Sequence, residues 1–252
     1  MISNIEVIYG LANRCFSYGL KNTKSDPVNL PLNMILEIFD GVDGAEKYKW
    51  FKKDLYVLRN SKSISNFTKI DIVENKVEEV LNIIRNHSFE NGSTYLRGLY
   101  IHNPVSQRII DKYNVYMPII KNEFGIKLGF SIYEQKEIDL IIKKNVTCDI
   151  LQIPHNINVN LDVSQLQEKG CEIYLRSIFL QGAYFVDLSN KFSKFTIHKI
   201  KKQKKYLLQK AKEYKFSLGQ YLFSEAISTC KSHKYKGVVI GSTSIKRLLK
   251  YF

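Results

Sequence analysis

YLRGLYIHNP, Tyr95–Pro104, is the stretch on which the fold turns. Its core is a strand-length run of apolar and aromatic residues, ending in His102 and closed by Asn-Pro. Pro104 then begins a different pattern. Ile109, Ile110, Tyr113 and Tyr116 recur at the 3.6-residue spacing of a helix face. A buried strand therefore feeds an amphipathic helix, with a histidine at the junction.

The same unit recurs along the chain. Further strands are predicted at Ile2–Ile8, Met34–Phe39, Ile64–Ile70, Ile126–Ser131, Asp149–Ile153, Glu172–Phe179 and Gly237–Gly241, beside Arg97–His102. Helical patterns lie between them. Gly44–Leu58 carries Tyr48, Phe51, Leu55 and Leu58 on one stripe, Lys76–Asn86 carries Val77, Val80, Leu81 and Ile84, and Glu134–Lys144 carries Ile138, Ile141 and Ile142. Strands that alternate with helices favour a parallel sheet. Eight of them in about 250 residues match one (β/α)8 barrel. With no linker or repeat in view, residues 1–252 are expected to form one domain, with a short last helix. The long interval Leu180–Lys236 is expected to hold two helices, a basic one over 198–215 and a second at Ser217–Ser232.

Composition narrows the function classes. Of the 252 residues 44% are hydrophobic, enough for a large core. No apolar run approaches the ~20 residues of a membrane helix. Glu6 interrupts the start where a secretory signal needs a basic and then an apolar segment, so a cytoplasmic protein is expected. The four cysteines form no CxxC pair and read as reduced, mostly buried thiols. A net charge of +14 points to an acidic partner, such as nucleic acid, a phosphorylated cofactor or a membrane surface. The one dense basic patch, HKIKKQKKYLLQKAKEYK (His198–Lys215), has apolar residues near helical spacing and reads first as the solvated face of an amphipathic helix. No nucleic-acid motif accompanies it, so nucleic acid is not the expected partner.

In such barrels, function collects at the C-terminal ends of the strands. Lys69 ends NFTKI, and a buried lysine requires a carboxylate partner. Asp40, read as the end of its own strand, is a candidate. Each also has an ordinary role, as a snorkelling lysine and an N-capping aspartate. His102 points toward the same mouth, and His155 in QIPHN lies near it, while His87, His198 and His233 read as surface residues. GSTSIKR, Gly241–Arg247, puts small residues at a helix start with Lys246 and Arg247 one turn on, which suits a phosphate as well as a plain helix cap. The acidic turn in IFDGVDG lacks the further ligands of a calcium loop.

Seven pieces in order resemble the aldo/keto reductases, in particular a branch associated with bacterial surface-polysaccharide genes. They are YGLAN (Tyr9–Asn13), FTKI (Phe67–Ile70), YLRGLYIHNP, KLGFSIY (Lys127–Tyr133), DILQIPHNI (Asp149–Ile157), YLRSIFLQG (Tyr174–Gly182) and VVIGSTSIKRLL (Val238–Leu249). The resemblance implies a (β/α)8 barrel that uses NADPH to reduce a small carbonyl or sugar-derived substrate. A tyrosine protonates the oxygen, a lysine–aspartate pair lowers that tyrosine's pKa, and a histidine orients the carbonyl. A phenol of ordinary pKa ~10 needs such a neighbouring cation to act as an acid near neutrality.

Residue by residue, the resemblance assigns Lys69 and His102 as the lysine and histidine, and Asp40 as the aspartate of the family's FDTAxxYGxSE. Ser131, Gln152 and Asn156 fall around the nicotinamide, Ser177 and Gln181 on the pyrophosphate side, and Gly241, Ser244 and Arg247 around the adenosine phosphate. Gly44 and Glu46 look like the motif's glycine and glutamate. Counted from Asp40, the motif is three residues short and holds no tyrosine. Tyr48 lies four residues past Gly44, on the following helical pattern. The first strand also lacks the family's small residues. The expectation is then an inactive or weakly active reductase that binds NADPH weakly. The alternative is a non-catalytic barrel that binds a nucleotide, a sugar or a partner in glycan biosynthesis.

Overall fold

The computed structural model describes residues 5–13, 32–45, 65–87, 96–156, 159–185, 193–242 and 249–251. Eight parallel strands close into a barrel in sequence order: β1 (Glu6–Gly10), β2 (Gly41–Ala45), β3 (Ser65–Ile70), β4 (Leu96–Ile101), β5 (Lys127–Ser131), β6 (Ile150–Pro154), β7 (Glu172–Arg176) and β8 (Gly237–Ile240). The β1–β8 pairing, Glu6 to Gly237 through Tyr9 to Ile240, completes the ring. The described helices are α1 (Leu32–Ile38), α2 (Val77–Arg85), α3 (Gln107–Phe124), α4 (Gln135–Lys143), α5 (Ser164–Glu168), α6 (Lys194–Glu213) and α7 (Leu218–His233). Short 3-10 turns follow β1 (Leu11–Asn13) and β7 (Leu180–Phe185). This is the (β/α)8 architecture that the strand–helix alternation predicted.

Six strands lie within a few residues of their predicted positions, but the first two differ. β1 runs to Gly10 rather than ending at Ile8. Met34–Phe39, predicted as a strand, lies within or just past helix α1, which buries Leu32 and Ile35. A short apolar run does not distinguish a buried strand from a buried helix turn. The real β2 is GVDGA, whose glycines and aspartate are poor strand formers in isolation. All five of its residues are buried, so pairing with β1 and β3 decides its conformation. Gly44 and Ala45, predicted to open a helix, belong to β2 instead, and the rest of Gly44–Leu58 lies outside the described residues. His87, read as a surface residue, is buried after α2.

Strand alternation sorts the side chains into an outer and an inner set. Val7, Tyr9, Val42, Ile70, Leu99, Ile101, Leu151, Ile153, Val238 and Ile240 join the core beneath the helices. Their alternates Ile8, Phe67, Tyr100, Ile150, Tyr174 and Val239 form a separate apolar cluster inside the ring. This plug closes the lumen, as expected of a barrel of this size.

Below the plug lies a charged floor. Arg97 donates to Glu6 at 2.6 Å and lies 3.4 Å from Glu172, Lys127 meets Glu172 at 2.6 Å, Lys236 lies 3.0 Å from Glu6, and the Tyr174 hydroxyl donates to Glu6 at 3.0 Å. Burial by itself raises the Glu6 pKa, but the hydrogen bonds from Arg97, Lys236 and Tyr174 bring it below the ordinary 4.5. A carboxylate held below its unfolded value adds stability above that value, and the contribution is lost as pH falls through the folded one. The thermal midpoint is therefore expected to drop as pH is lowered from about 4.5 downward. Glu6→Gln is expected to lower the midpoint at neutral pH and to flatten that acid slope. An unchanged slope in the variant would remove Glu6 from the acid response.

Candidate active site

One alternation beyond the plug, toward the C-terminal ends of the strands, the inward positions turn polar. They are Asp43 on β2, Lys69 on β3, His102 just past β4, Ser131 on β5, Gln152 on β6 and Arg176 on β7, with the side-chain-free Gly241 just past β8. The barrel thus stacks a charged floor, an apolar plug and a polar mouth. This order follows from eight short strands whose inward residues change character every second position.

The centre of the mouth is a buried ion pair. Lys69 Nζ donates to Asp43 Oδ2, with the two side chains only 7% and 8% exposed. Gln152 Nε2 donates to the other carboxylate oxygen at 3.1 Å, so both oxygens of Asp43 are used. Taking two such charges out of water is costly, and the cost is recovered only when they pair and are hydrogen-bonded, as here. The ammonium also lies 5.8 Å from the centre of the Tyr100 ring. Burial drives the Tyr100 phenol well above the usual tyrosine range, so Tyr100 stays protonated and serves as wall.

Arg176 forms the rim. Its Nη2 donates to the Ile132 carbonyl at 2.6 Å and its Nη1 to Ser177 Oγ at 3.2 Å, while its guanidinium lies 4.1 Å from the centre of the Tyr133 ring. These contacts lock the loop after β5 to the end of β7. The chain beyond β7 is unusual, because Ser177, Leu180 and Gln181 all adopt left-handed φ values of 58°, 47° and 52°. Such conformations are uncommon outside glycine and concentrate at functional loops. His155 follows β6 half-buried, its backbone N–H bonded to the Arg176 carbonyl, and burial lowers its pKa.

Most of the sequence-derived candidates meet at this end. Lys69, His102, Ser131 and Gln152 stand at the ends of four consecutive strands. His102 is half-buried, and its backbone N–H is bonded to the Ile70 carbonyl at 2.8 Å. Asn156 is half-buried two residues past β6, Ser177 and Gln181 lie in the left-handed segment, and Gly241 directly follows β8. Ser244 and Arg247 lie outside the described residues.

Asp40 is not part of this site. It precedes β2 at the opposite end of the barrel, exposed, and its carboxylate accepts from the Val7 N–H at 2.8 Å while its own N–H donates to the Val7 carbonyl at 3.0 Å. Asp40 splices β1 to β2, and the partner expected of it for Lys69 is Asp43. The misassignment follows from reading α1 as the second strand. Strand alternation in GVDGA was the available signal, since an outward Val42 turns Asp43 inward. Arg176, two positions past the plug residue Tyr174, follows from the same alternation.

No protein-family model matches the sequence, and no curated protein matches it. Solved structures match it in fold. An aldo-keto reductase of Bacillus halodurans in its holo form superposes with a TM-score of 0.67 at 15% identity, over 98% of this chain and 85% of that one. An aldo-keto reductase from a Medee basin deep-sea metagenome library gives 0.65 at 11% identity, over 100% and 84%. An aldo/keto reductase from Klebsiella pneumoniae, in complex with NADP and acetate, gives 0.57 at 13%, over 86% and 75%.

Proposed function

We propose that the chain is a nicotinamide-dependent carbonyl reductase whose proton donor is Tyr48. The observation that carries this reading is the buried pair Asp43–Lys69. It resets the count along the acidic turn. In FDTAxxYG the tyrosine stands five residues after the aspartate, and counted from Asp43 that position is Tyr48. The tyrosine is missing only when the count starts from Asp40. Tyr48 itself lies outside the described residues.

The cofactor assignment is supported by two orphaned atoms. Ser131 Oγ and Gln152 Oε1 are buried and, among the described residues, have no hydrogen-bond partner. Their residues are register neighbours at the ends of β5 and β6. A hydroxyl able to donate beside an amide oxygen able to accept fits a carboxamide, the polar group of a nicotinamide. Asn156 would extend this contact, and the left-handed segment with Ser177 and Gln181 would hold the pyrophosphate. Gly241, Ser244 and Arg247 would hold the adenosine phosphate, which favours NADPH.

When bound, the cofactor supplies a hydride. The protein supplies the rest. Asp43 holds the Lys69 ammonium in place, and in this reading that ammonium would ease removal of a proton from the Tyr48 phenol, as a cation close to a phenol does. Tyr48 gives that proton to the substrate oxygen, and His102 orients the carbonyl. The substrate class is a small carbonyl compound, sugar-derived carbonyls included, in keeping with the polysaccharide-associated branch that the sequence resembles. We place this reaction in the cytoplasm, in a single barrel unit spanning residues 1–252. The three described cysteines, Cys148, Cys171 and Cys230, are free and buried.

Titration with NADPH, followed by cofactor fluorescence, is expected to show saturable binding. Ser131→Ala, which leaves the Asp43–Lys69–Gln152 contacts alone, is expected to weaken it about tenfold through one lost buried hydrogen bond. Absence of binding would overturn the reductase reading and leave a barrel that binds some other partner.

A further inference from the structure

Helix α6 carries eight lysines against one glutamate, and Glu213 is paired with Lys210 at 2.9 Å. Its inner stripe is already satisfied. Ile200, Leu207 and Ala211 pack with Ala183, Tyr184, Leu218, Tyr221 and Leu222 of the neighbouring turn and α7. The opposite face nevertheless displays apolar groups among its cations. Phe195, Lys199, Lys202 and Tyr206 follow one another at i, i+4, i+7 and i+11 along the outer ridge, with Phe195 79% and Tyr206 51% exposed. Lys201, Lys205 and Leu208 flank them, and Tyr214 and Phe216 continue the exposed apolar groups past the helix end.

We propose that this outer face of α6 docks the barrel on an anionic lipid surface. A purely solvated face gains nothing from a phenylalanine that is almost fully in water. An interfacial helix uses such a group, with aromatics seated at the level of the headgroups while lysine stems lie along the apolar boundary and extend their ammonium groups to the phosphates. At 1.5 Å per residue, the 20 residues of α6 offer a ridge of about 30 Å that can lie flat. Residue choice favours lipid over nucleic acid. The helix has no arginine, the side chain suited to bidentate reading of phosphates and bases, and its cations are the compact, mobile charges that follow a diffuse anionic layer. Among the described residues no helix is long and apolar enough to cross a membrane, so the contact is one of surface.

Co-sedimentation of the full chain with vesicles tests this. Binding is expected to vesicles of phosphatidylcholine mixed with phosphatidylserine, to fall with added salt, and to be absent with phosphatidylcholine alone. Each lysine near the surface is worth about fivefold in affinity, so Lys202→Glu with Lys205→Glu is expected to weaken binding at least about 25-fold. Phe195→Ser with Tyr206→Ser is expected to weaken it about tenfold while leaving the salt dependence in place. Circular dichroism and the thermal midpoint check that both exposed double variants stay folded. Lack of binding to the mixed vesicles, equal binding to neutral ones, or displacement from them by an oligonucleotide at the same salt would overturn the proposal. Carbonyl reduction by these variants is expected to be unchanged, which keeps this test separate from that of the reductase reading.

Discussion

Tyr48→Phe is expected to lower the turnover of carbonyl-dependent NADPH oxidation by about 10²–10⁴-fold, the usual contribution of a positioned general acid. NADPH binding, read by cofactor fluorescence, is expected to change little, because the substitution removes one hydroxyl from the proton path and no group assigned to the cofactor. Lys69→Met is expected to cost a similar factor and also some stability, since it leaves the Asp43 carboxylate buried without its cation. Asp40 provides the contrast. Asp40→Ala removes a hydrogen bond to the Val7 N–H at the far end of the barrel, so about 1 kcal/mol of stability is the expected cost, with turnover intact. The pattern matters more than any single value. Loss in Tyr48→Phe and Lys69→Met with retention in Asp40→Ala places the acid where counting from Asp43 puts it. Full turnover in Tyr48→Phe would remove Tyr48 from the reaction.

Gly129→Ala is expected to have the largest effect on stability. Gly129 lies in β5, in register with Ile150 of β6, and a Cβ there would stand 1.6 Å from the Ile150 carbonyl oxygen and 3.1 Å from Cys148 Sγ. The obstacle is backbone, so no rotamer change relieves it, and the two strands must separate within a closed ring. Overpacking a core typically costs 1–3 kcal/mol, and a backbone clash belongs at or above the top of that range. A loss of about 3 kcal/mol or more is expected, seen as a fall of roughly 6–12 °C in the thermal midpoint for a domain of this size. Ser131, two residues on, would be displaced with the strand, so NADPH affinity is expected to fall together with stability. A change within about 0.5 kcal/mol, the range of ordinary surface substitutions, would mean that β5 and β6 do not pair in this register.

The sequence alone carried the architecture and most of the mouth. Hydrophobic periods of two and 3.6 residues are local properties, and they recur often enough to show strand and helix alternating around a ring. The end of a well-formed strand is also local, which is why Lys69 and His102 are legible where NFTKI and GLYI stop, while Ser131 and Gln152 rest on the family resemblance. The second strand was hidden for an equally physical reason. GVDGA has the composition of a turn, and MILEIF, just before it, has the composition of a strand. Only the ladders from β1 and β3 on either side hold Gly41–Ala45 extended. The choice between Asp40 and Asp43 follows from that placement. Three residues along the chain separate the two carboxylates, but they sit at opposite ends of the barrel, one exposed on the Val7 N–H and the other sealed against Lys69. A buried lysine needs an anion within hydrogen-bonding reach, and its reach is set by strand register across the closed sheet. The sequence therefore determined that a cation would stand in this mouth, and ring closure alone decided which aspartate would meet it.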